Sequence, residues 1–290
     1  MISLEFIVPC HIKINLCLWV GAPGVDGYHP IRTFFLKLRS PEFLRIRTGS
    51  VRTVVYHRGD PFYGEHLVLR AQALLRGRIQ LPPVEVECEK ALPAGGGVGG
   101  GSGNAGAFIR WAYAQAGMDT DLSVAAQLGS DVAFLASRMW AAWGEGRGEL
   151  LTPPEGDLDG LRELRGIIGF PRWAIGTAWA YRMLDQLRGS SSDARLPEGG
   201  EVEPLLEGLV RGRVVGLMSN DFIPVAEKVR PEYVKIWRDC ESLGALAWGL
   251  CGSGSGFFAL FSHQEGVERA FAELGKQDYV RSLIPLEVCR

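Results

Sequence analysis

Residues 93–105 read PAGGGVGGGSGNA, and no other stretch restricts what this chain can fold into as strongly. Eight glycines fall between Gly95 and Gly106. The whole chain holds 38 in 290 residues, about 13% against a usual share of roughly 7%. No Gly-X-Y period runs through them, which excludes a collagen helix. Such a run lets the main chain approach a ligand closely and turn several N–H groups toward one anion. Directly after it, residues 104–116 are rich in alanine, with Phe108, Ile109 and Ala112 on one face and Gly117 as a stop. A glycine loop opening onto a helix adds the helix dipole, and that combination binds phosphate. A flexible linker is the alternative, and the helix that follows at once speaks against it.

Two familiar phosphate loops are excluded by pattern. G-x-x-x-x-G-K-[ST] is absent, because Gly275-Lys276 is followed by Gln277. Gly95, Gly97 and Gly100 satisfy G-x-G-x-x-G, but a dinucleotide loop follows a continuously apolar strand. Here residues 84–88 (VEVEC) alternate, Pro93 intervenes, and the acid further on, Asp119, comes straight after the helix stop Gly117. The dinucleotide reading is rejected.

At 290 residues the chain forms one large domain or two modest ones. Hydrophobic residues are 47% and charged residues 22%, so wholesale disorder is excluded. The net charge of −2 leaves no basic field for nucleic acid or a membrane surface. Six cysteines show no C-x-x-C spacing, which disfavours zinc and a disulfide framework and favours buried thiols. The start has no secretory-leader pattern, and no uncharged apolar run reaches the roughly 18 residues of a membrane span. The chain reads as soluble and cytoplasmic.

The pattern predicts strands over 2–20, 31–38, 43–56 (broken at Ser40-Pro41), 84–88, 139–143, 167–170, 246–250, 256–261 and 284–289. It predicts helices over 66–75, 104–116, 122–128, 177–187, 232–242 and 265–275. Residues 189–204 (GSSSDARLPEGGEVEP) read as a flexible polar loop. The mixture lacks a strict βαβ rhythm, so the class is α+β. The segment 151–159 (LTPPEGDLD) marks a boundary, giving domains 1–155 and 156–290. In the first strand, Lys13 and Asn15 share a face opposite Ile12, Ile14 and Leu16. They line either a polar site or a solvated face. Asp131, after Gly129-Ser130, is either a turn or capping residue or a functional carboxylate.

PAGGGVGGGSGNA resembles the second motif of the GHMP kinases, P-x-x-x-G-L-G-S-S-A. Residues 11–18 (HIKINLCL) resemble the first motif, and 251–258 (CGSGSGFF) the third. Residues 129–134 (GSDVAF) resemble G-x-D-V-P-F, and Asn220-Asp221 falls where the family often has N-D. The expanded glycine loop and DGYH at 26–29 are similar to the branch whose substrate is a cytidine diphosphate methylerythritol. Another small-molecule kinase of the family, for homoserine or a sugar, and a non-catalytic nucleotide-binding protein are the alternatives. The DGYH motif speaks against the first, the intact Lys13 and Asp131 against the second.

The resemblance implies a two-domain fold with an N-terminal domain like ribosomal protein S5 domain 2 and an α+β C-terminal domain. It implies phosphoryl transfer from ATP, with Mg²⁺, to an alcohol of a small molecule, by a monomer or weak homodimer with no nucleic-acid or membrane partner. Asp131 matches the catalytic aspartate and Lys13 the active-site lysine that orients it. ATP falls to Pro93, Ala94, Gly95, Gly96, Gly97, Val98, Gly99, Gly100, Gly101, Ser102, Gly103 and Asn104. Lys90 is added to them, near the adenine or phosphates, or as a solvated strand-end lysine. Ser102 is the candidate hydroxyl for Mg²⁺, and Gly100 and Gly101 are expected at positions a branched side chain disfavours. Asn15, Tyr28, His29, Thr177 and Tyr181 match the substrate side, with Tyr28 as a stacking face, His29 as an edge partner through ring and backbone, and Tyr181 there or in the core. Four positions depart from the pattern: Gly103 for a second serine, Ala133 for proline, His66 for asparagine and Cys251 for threonine. A serine at position 103 is expected to tighten the nucleotide.

Overall fold

Two long strands open the chain, because apolar and β-branched side chains recur through both. β1 (Glu5–Val20) buries Cys10, Ile12, Ile14, Leu16 and Leu18, and β2 (Ile31–Thr48) buries Phe34, Phe35, Leu36, Leu44 and Ile46. The computed structural model describes residues 4–49, 54–57, 60–61, 66–189, 194, 196–197 and 202–289. After β2 come β3 (Val54–His57), β4 (Asp60–Pro61), α1 (Leu67–Leu75) and β5 (Val84–Cys88). Next are α2 (Gly100–Gln115), α3 (Leu122–Ala126), α4 (Ser130–Ala136), β6 (Ala141–Glu145) and β7 (Leu150–Thr152). The remainder holds β8 (Arg165–Pro171), α5 (Thr177–Arg188), α6 (Glu203–Val210), β9 (Gly216–Leu217), α7 (Ile223–Val229) and α8 (Glu232–Ser242). β10 (Ala247–Leu250), β11 (Phe257–Phe261), α9 (Gln264–Leu274) and β12 (Val280–Glu287) complete it. Helices and strands mix as the α+β class requires.

The chain divides into two compact units. One holds Met1–Lys13, Arg39–Ala94 and Gly99–Met139. The other holds Ile14–Leu38, Gly95–Val98 and Trp140–Arg290. In the first, the distal half of β2 pairs antiparallel with β5, from Leu44↔Cys88 to Thr48↔Val84, and β5 pairs parallel with β3. α2 packs on α1 and α4 there, and its Gly106 brings two helix backbones together. A Cβ at that position would lie 3.0 Å from the Ala136 nitrogen.

The second unit is built on a sheet of order β12-β8-β11-β10-β9, antiparallel except for β9 with β10. One core of buried side chains joins it to its helices, among them Ala180, Leu184, Phe222, Tyr233, Trp237, Phe257 and Val267. The proximal half of β2 pairs with β6 in this unit, and β6 with β7. Cys10, Cys17, Cys88, Cys240 and Cys251 are buried, and Cys289 is half-buried.

Three expectations are corrected. β2 does not break at Ser40-Pro41. Pro41 lies between the ladder segments 33–36 and 44–48, where neither of those pairings calls on its missing N–H. α2 starts four residues before the expected helix, inside the glycine run, because packing outweighs propensity there. Residues 203–210 form α6, with Pro204 in its first turn, in place of a loop end. Most of the expected loop over 189–204 lies outside the described residues.

Candidate active site

β1 carries Lys13 inward at 4% exposure, and α4 presents Asp131 from its first turn. Their charged ends lie 3.4 Å apart, Lys13 Nζ to Asp131 Oδ2. Burying an ammonium is tolerable because a carboxylate meets it, and that carboxylate gains from the helix N-terminus. Gly99 stands over the pair. Its φ is +70°, and a Cβ there would sit 3.4 Å from Asp131 Oδ2 and 3.6 Å from Lys13 Cε. Gly99 is the N-cap of α2 and offers no side-chain acceptor. The first-turn N–H groups of Gly100, Gly101 and Ser102 therefore have no capping side chain, and they follow directly on the residue covering the pair. Ser102 is half-buried in that turn.

Lys90 belongs to a second charged group that sequence reasoning left incomplete. Its Nζ lies 2.6 Å from Glu42 Oε2 and donates to Asn104 Oδ1 at 3.0 Å. Glu42 is 1% exposed. It also accepts from Asn104 Nδ2 at 3.1 Å and from the Ala91 and Leu92 N–H groups at 3.0 Å each. Four donors thus satisfy one buried carboxylate, which joins the lead-in to Pro93 and Ala94 with α2. The signal was present in the sequence. Leu44 and Ile46 face inward while Arg45 and Arg47 do not, and Glu42 shares the parity of the inward pair.

The glycines divide by purpose. Gly95, Gly97 and Gly99 have φ of +77°, +72° and +70°. Gly100 and Gly101 do not, and each has ordinary room for a Cβ, the nearest atoms being 3.5 Å and 3.8 Å away. The conformational demand expected at Gly100 and Gly101 therefore falls on Gly95, Gly97 and Gly99. Gly103 is glycine for packing: a Cβ would overlap the His11 carbonyl oxygen. Within the second unit, Gly96 abuts the Phe170 ring, Gly97 the Cys251 carbonyl, and Gly256 the Gly96 carbonyl. Ser255 N–H donates to Gly95 O at 3.2 Å. The third motif and residues 95–98, which include buried Val98, are one packed piece.

The proposed substrate residues lie in that same unit. Asn15 Nδ2 donates to Thr33 Oγ1 at 2.7 Å, and Thr33 Oγ1 donates to Cys17 O at 2.6 Å. In DGYH, Asp26 Oδ1 accepts the Tyr28 N–H at 3.0 Å, and Gly27 takes φ +76°. The Tyr28 side chain is exposed, with the Arg147 guanidinium 3.7 Å from its ring centroid. His29 Nδ1 donates to Gly21 O at 2.8 Å, and its Nε2 lies 3.3 Å from Asp185 Oδ2. Both ring nitrogens thus have partners within this unit. Tyr181 lies 5.1 Å from the His29 ring and 4.9 Å from Phe222. Thr177 Oγ1 accepts from Ser253 Oγ at 3.1 Å. Thr177 and Tyr181 share one side of α5 by their spacing, yet their contacts are different ones.

The departures have local reasons. His66 caps α1, its Nδ1 accepting from Val68 N–H at 3.1 Å, the bond an asparagine oxygen would make. Ala133 supplies an N–H to Gly129 O at 3.3 Å, which proline could not. Cys251 is fully buried, and its N–H donates to Gly256 O at 2.8 Å. Asn220 Nδ2 donates to Leu250 O and Gly252 O at 3.3 and 2.9 Å, while Asp221 Oδ2 accepts from Val20 N–H and Arg188, both at 2.7 Å. Among the described residues no three His, Cys, Asp or Glu side chains gather to hold a metal, and no helix is long and apolar enough to cross a membrane.

Comparison with known proteins shows the family. The GHMP kinases N terminal domain matches residues 66–138 and the GHMP kinases C terminal domain residues 205–280. A 4-diphosphocytidyl-2-C-methyl-D-erythritol kinase of Nocardia farcinica is 32% identical, covering 93% of this chain and 90% of its own. Its namesake in Solidesulfovibrio magneticus is also 32% identical, covering 93% of both. A crystal structure of 4-(cytidine 5'-diphospho)-2C-methyl-D-erythritol kinase superposes with a TM-score of 0.78 at 27% identity, over 99% of this chain and 100% of that one. The chain belongs to the GHMP kinases, in the family of the 4-diphosphocytidyl-2-C-methyl-D-erythritol kinases.

Proposed function

We propose that this small-molecule kinase phosphorylates the 2-hydroxyl of 4-diphosphocytidyl-2-C-methyl-D-erythritol with ATP, a step of isoprenoid precursor synthesis by the non-mevalonate route. The observation that carries the chemistry is the Lys13–Asp131 pair at 3.4 Å, beside Gly99 and the uncapped start of α2. ATP supplies the phosphoryl group, and Mg²⁺ neutralises phosphate charge. In the first unit the N–H groups over 99–102 suit the phosphates, because the positive-φ Gly99 and the helix start favour an anion there. Ser102 offers a hydroxyl to the metal, which takes most of its ligands from phosphate and water and needs no carboxylate cage.

Asp131 accepts the proton of the attacking hydroxyl, and Lys13 fixes the carboxylate that takes it. The hydroxyl oxygen forms the new P–O bond as the bond to the ADP oxygen breaks. The buried Glu42 and Asn104, with the half-buried Lys90, hold the approach to the phosphate loop. Asn15, Thr177 and Tyr181 serve the substrate side with Tyr28 and the His29 main chain. The protein acts in the cytoplasm as a monomer or weak homodimer, without nucleic-acid or membrane partners.

Purified protein with ATP, Mg²⁺ and the cytidylyl substrate is expected to give a new phosphomonoester resonance in phosphorus NMR. Faster phosphorylation of homoserine or a hexose than of that substrate overturns the assignment.

A further inference from the structure

The hairpin joining β6 and β7 carries a side chain that the mechanism leaves unused. Arg147 sits at its tip between Gly146 (φ +69°) and Gly148 (φ +104°). The tip is fixed on three sides. Gly148 N–H donates to Glu145 O at 2.8 Å, Arg147 N–H to Glu149 Oε2 at 2.7 Å, and Gly146 O accepts from Ile31 N–H at 2.7 Å. From there the guanidinium lies over Tyr28, 3.7 Å from the ring centroid. Its Nη2 donates to Asp26 Oδ2 at 2.8 Å.

Asp26 therefore works twice. One oxygen accepts from the Tyr28 main chain, and the other holds the group that covers the Tyr28 ring. Those two hydrogen bonds hold the Asp26 carboxyl below its ordinary range. An exposed ion pair alone contributes little. This one closes a ring of contacts through Asp26, Tyr28 and Arg147. The tyrosine keeps 58% of its surface open. A phenol with a cation against one face and most of its surface in solvent is a platform for one further flat group.

We propose that Arg147 is a positioning residue for the substrate, locking Tyr28 so that the pyrimidine base of a cytidine diphosphate stacks on the face of the ring away from the guanidinium. This rests on the reading that Tyr28 receives the cytosine. An exposed tyrosine free to rotate loses rotamer entropy when it stacks, and a guanidinium clamp removes that cost beforehand. Arginine suits the task because a planar guanidinium can stack on a ring while its N–H groups reach a carboxylate.

The test is calorimetric binding of CDP to the full chain and to Arg147→Met, Arg147→Lys, Tyr28→Ala and the Arg147→Met/Tyr28→Ala double variant. Arg147→Met is expected to weaken CDP about 2- to 5-fold, the range of an exposed cation–π contact. Arg147→Lys recovers less than half of the loss, since it restores charge without the plane. Tyr28→Ala weakens CDP about 5- to 150-fold, as removal of a stacking partner does. In the double variant the arginine change costs nothing more, because its effect runs through the ring. KM for the cytidylyl substrate rises in the same ratios while KM for ATP holds. An equal cost of Arg147→Met with and without Tyr28, or full rescue by lysine, overturns the proposal and makes Arg147 a direct charge contact to the diphosphate. Unchanged CDP affinity in Tyr28→Ala overturns the cytosine reading itself, and the role of Arg147 with it.

Discussion

At residue 13 a nearly buried ammonium is matched by a carboxylate 118 positions further along the chain, 3.4 Å away. In the proposed reaction Asp131 is the half of that pair that takes the proton during transfer. Asp131→Asn is therefore expected to lower kcat by about 10²–10⁴, the usual loss for a general base, with ATP binding nearly kept. Steady-state turnover with calorimetric ATP titration checks this, and turnover within a few-fold of the native chain removes Asp131 from the role. Both residues were legible in the sequence, Lys13 as a charge in an alternating strand and Asp131 through its motif. Glu42 was not, although its inward parity marked it, because a lone acid near a proline reads as a turn. The His29 ring misled in another way. Its type suggests an edge contact, but in the fold Gly21 and Asp185 already engage both nitrogens.

α2 shows why element boundaries resist sequence reasoning. Glycine is a poor helix former, so the helix was expected to begin after the glycine run. It begins at Gly100 because close approach needs residues without side chains. Gly103 faces the His11 carbonyl of β1, and Gly106 faces the backbone of α4. Propensity is a local quantity, and these contacts come from residues distant in sequence. The expectation that a serine at position 103 would tighten nucleotide binding is thereby reversed. Gly103→Ser forces β1 or α2 to shift and is expected to destabilise the chain by about 1–3 kcal/mol, as overpacking does. Urea unfolding measures it, and a serine variant as stable as the native chain would show that α2 can sit further from β1. Elements with strong periodicity fared better. β5 and α8 fall on their expected residues, while α6 was hidden because its polar, glycine-rich approach outweighed a short apolar stripe.

At the scale of the whole molecule, class and family were legible because the motifs are spread from residue 11 to residue 258 in the family's order. The composition of the two units was not, since neither is continuous in sequence: β1 and β2 each contribute residues to both. The cysteines are distributed over the same division. Burial pushes the Cys10 thiol up to about 11 and Cys88 up to about 12, both in the first unit. It raises Cys17 and Cys240 further, and these lie in the second. A protonated, enclosed thiol does not attack an electrophile. At pH 8 a small alkylating reagent is expected to mark Cys289 first, with the buried sites following only as fast as the chain opens around them. Mass mapping after brief pulses checks this, and early modification of Cys10 or Cys240 would contradict their enclosure. The kinase thus carries its own clocks, one set in each unit. Comparing the rates at Cys88 and Cys240 tells whether the two units melt as one cooperative body or in succession, and whether added nucleotide slows one clock or both.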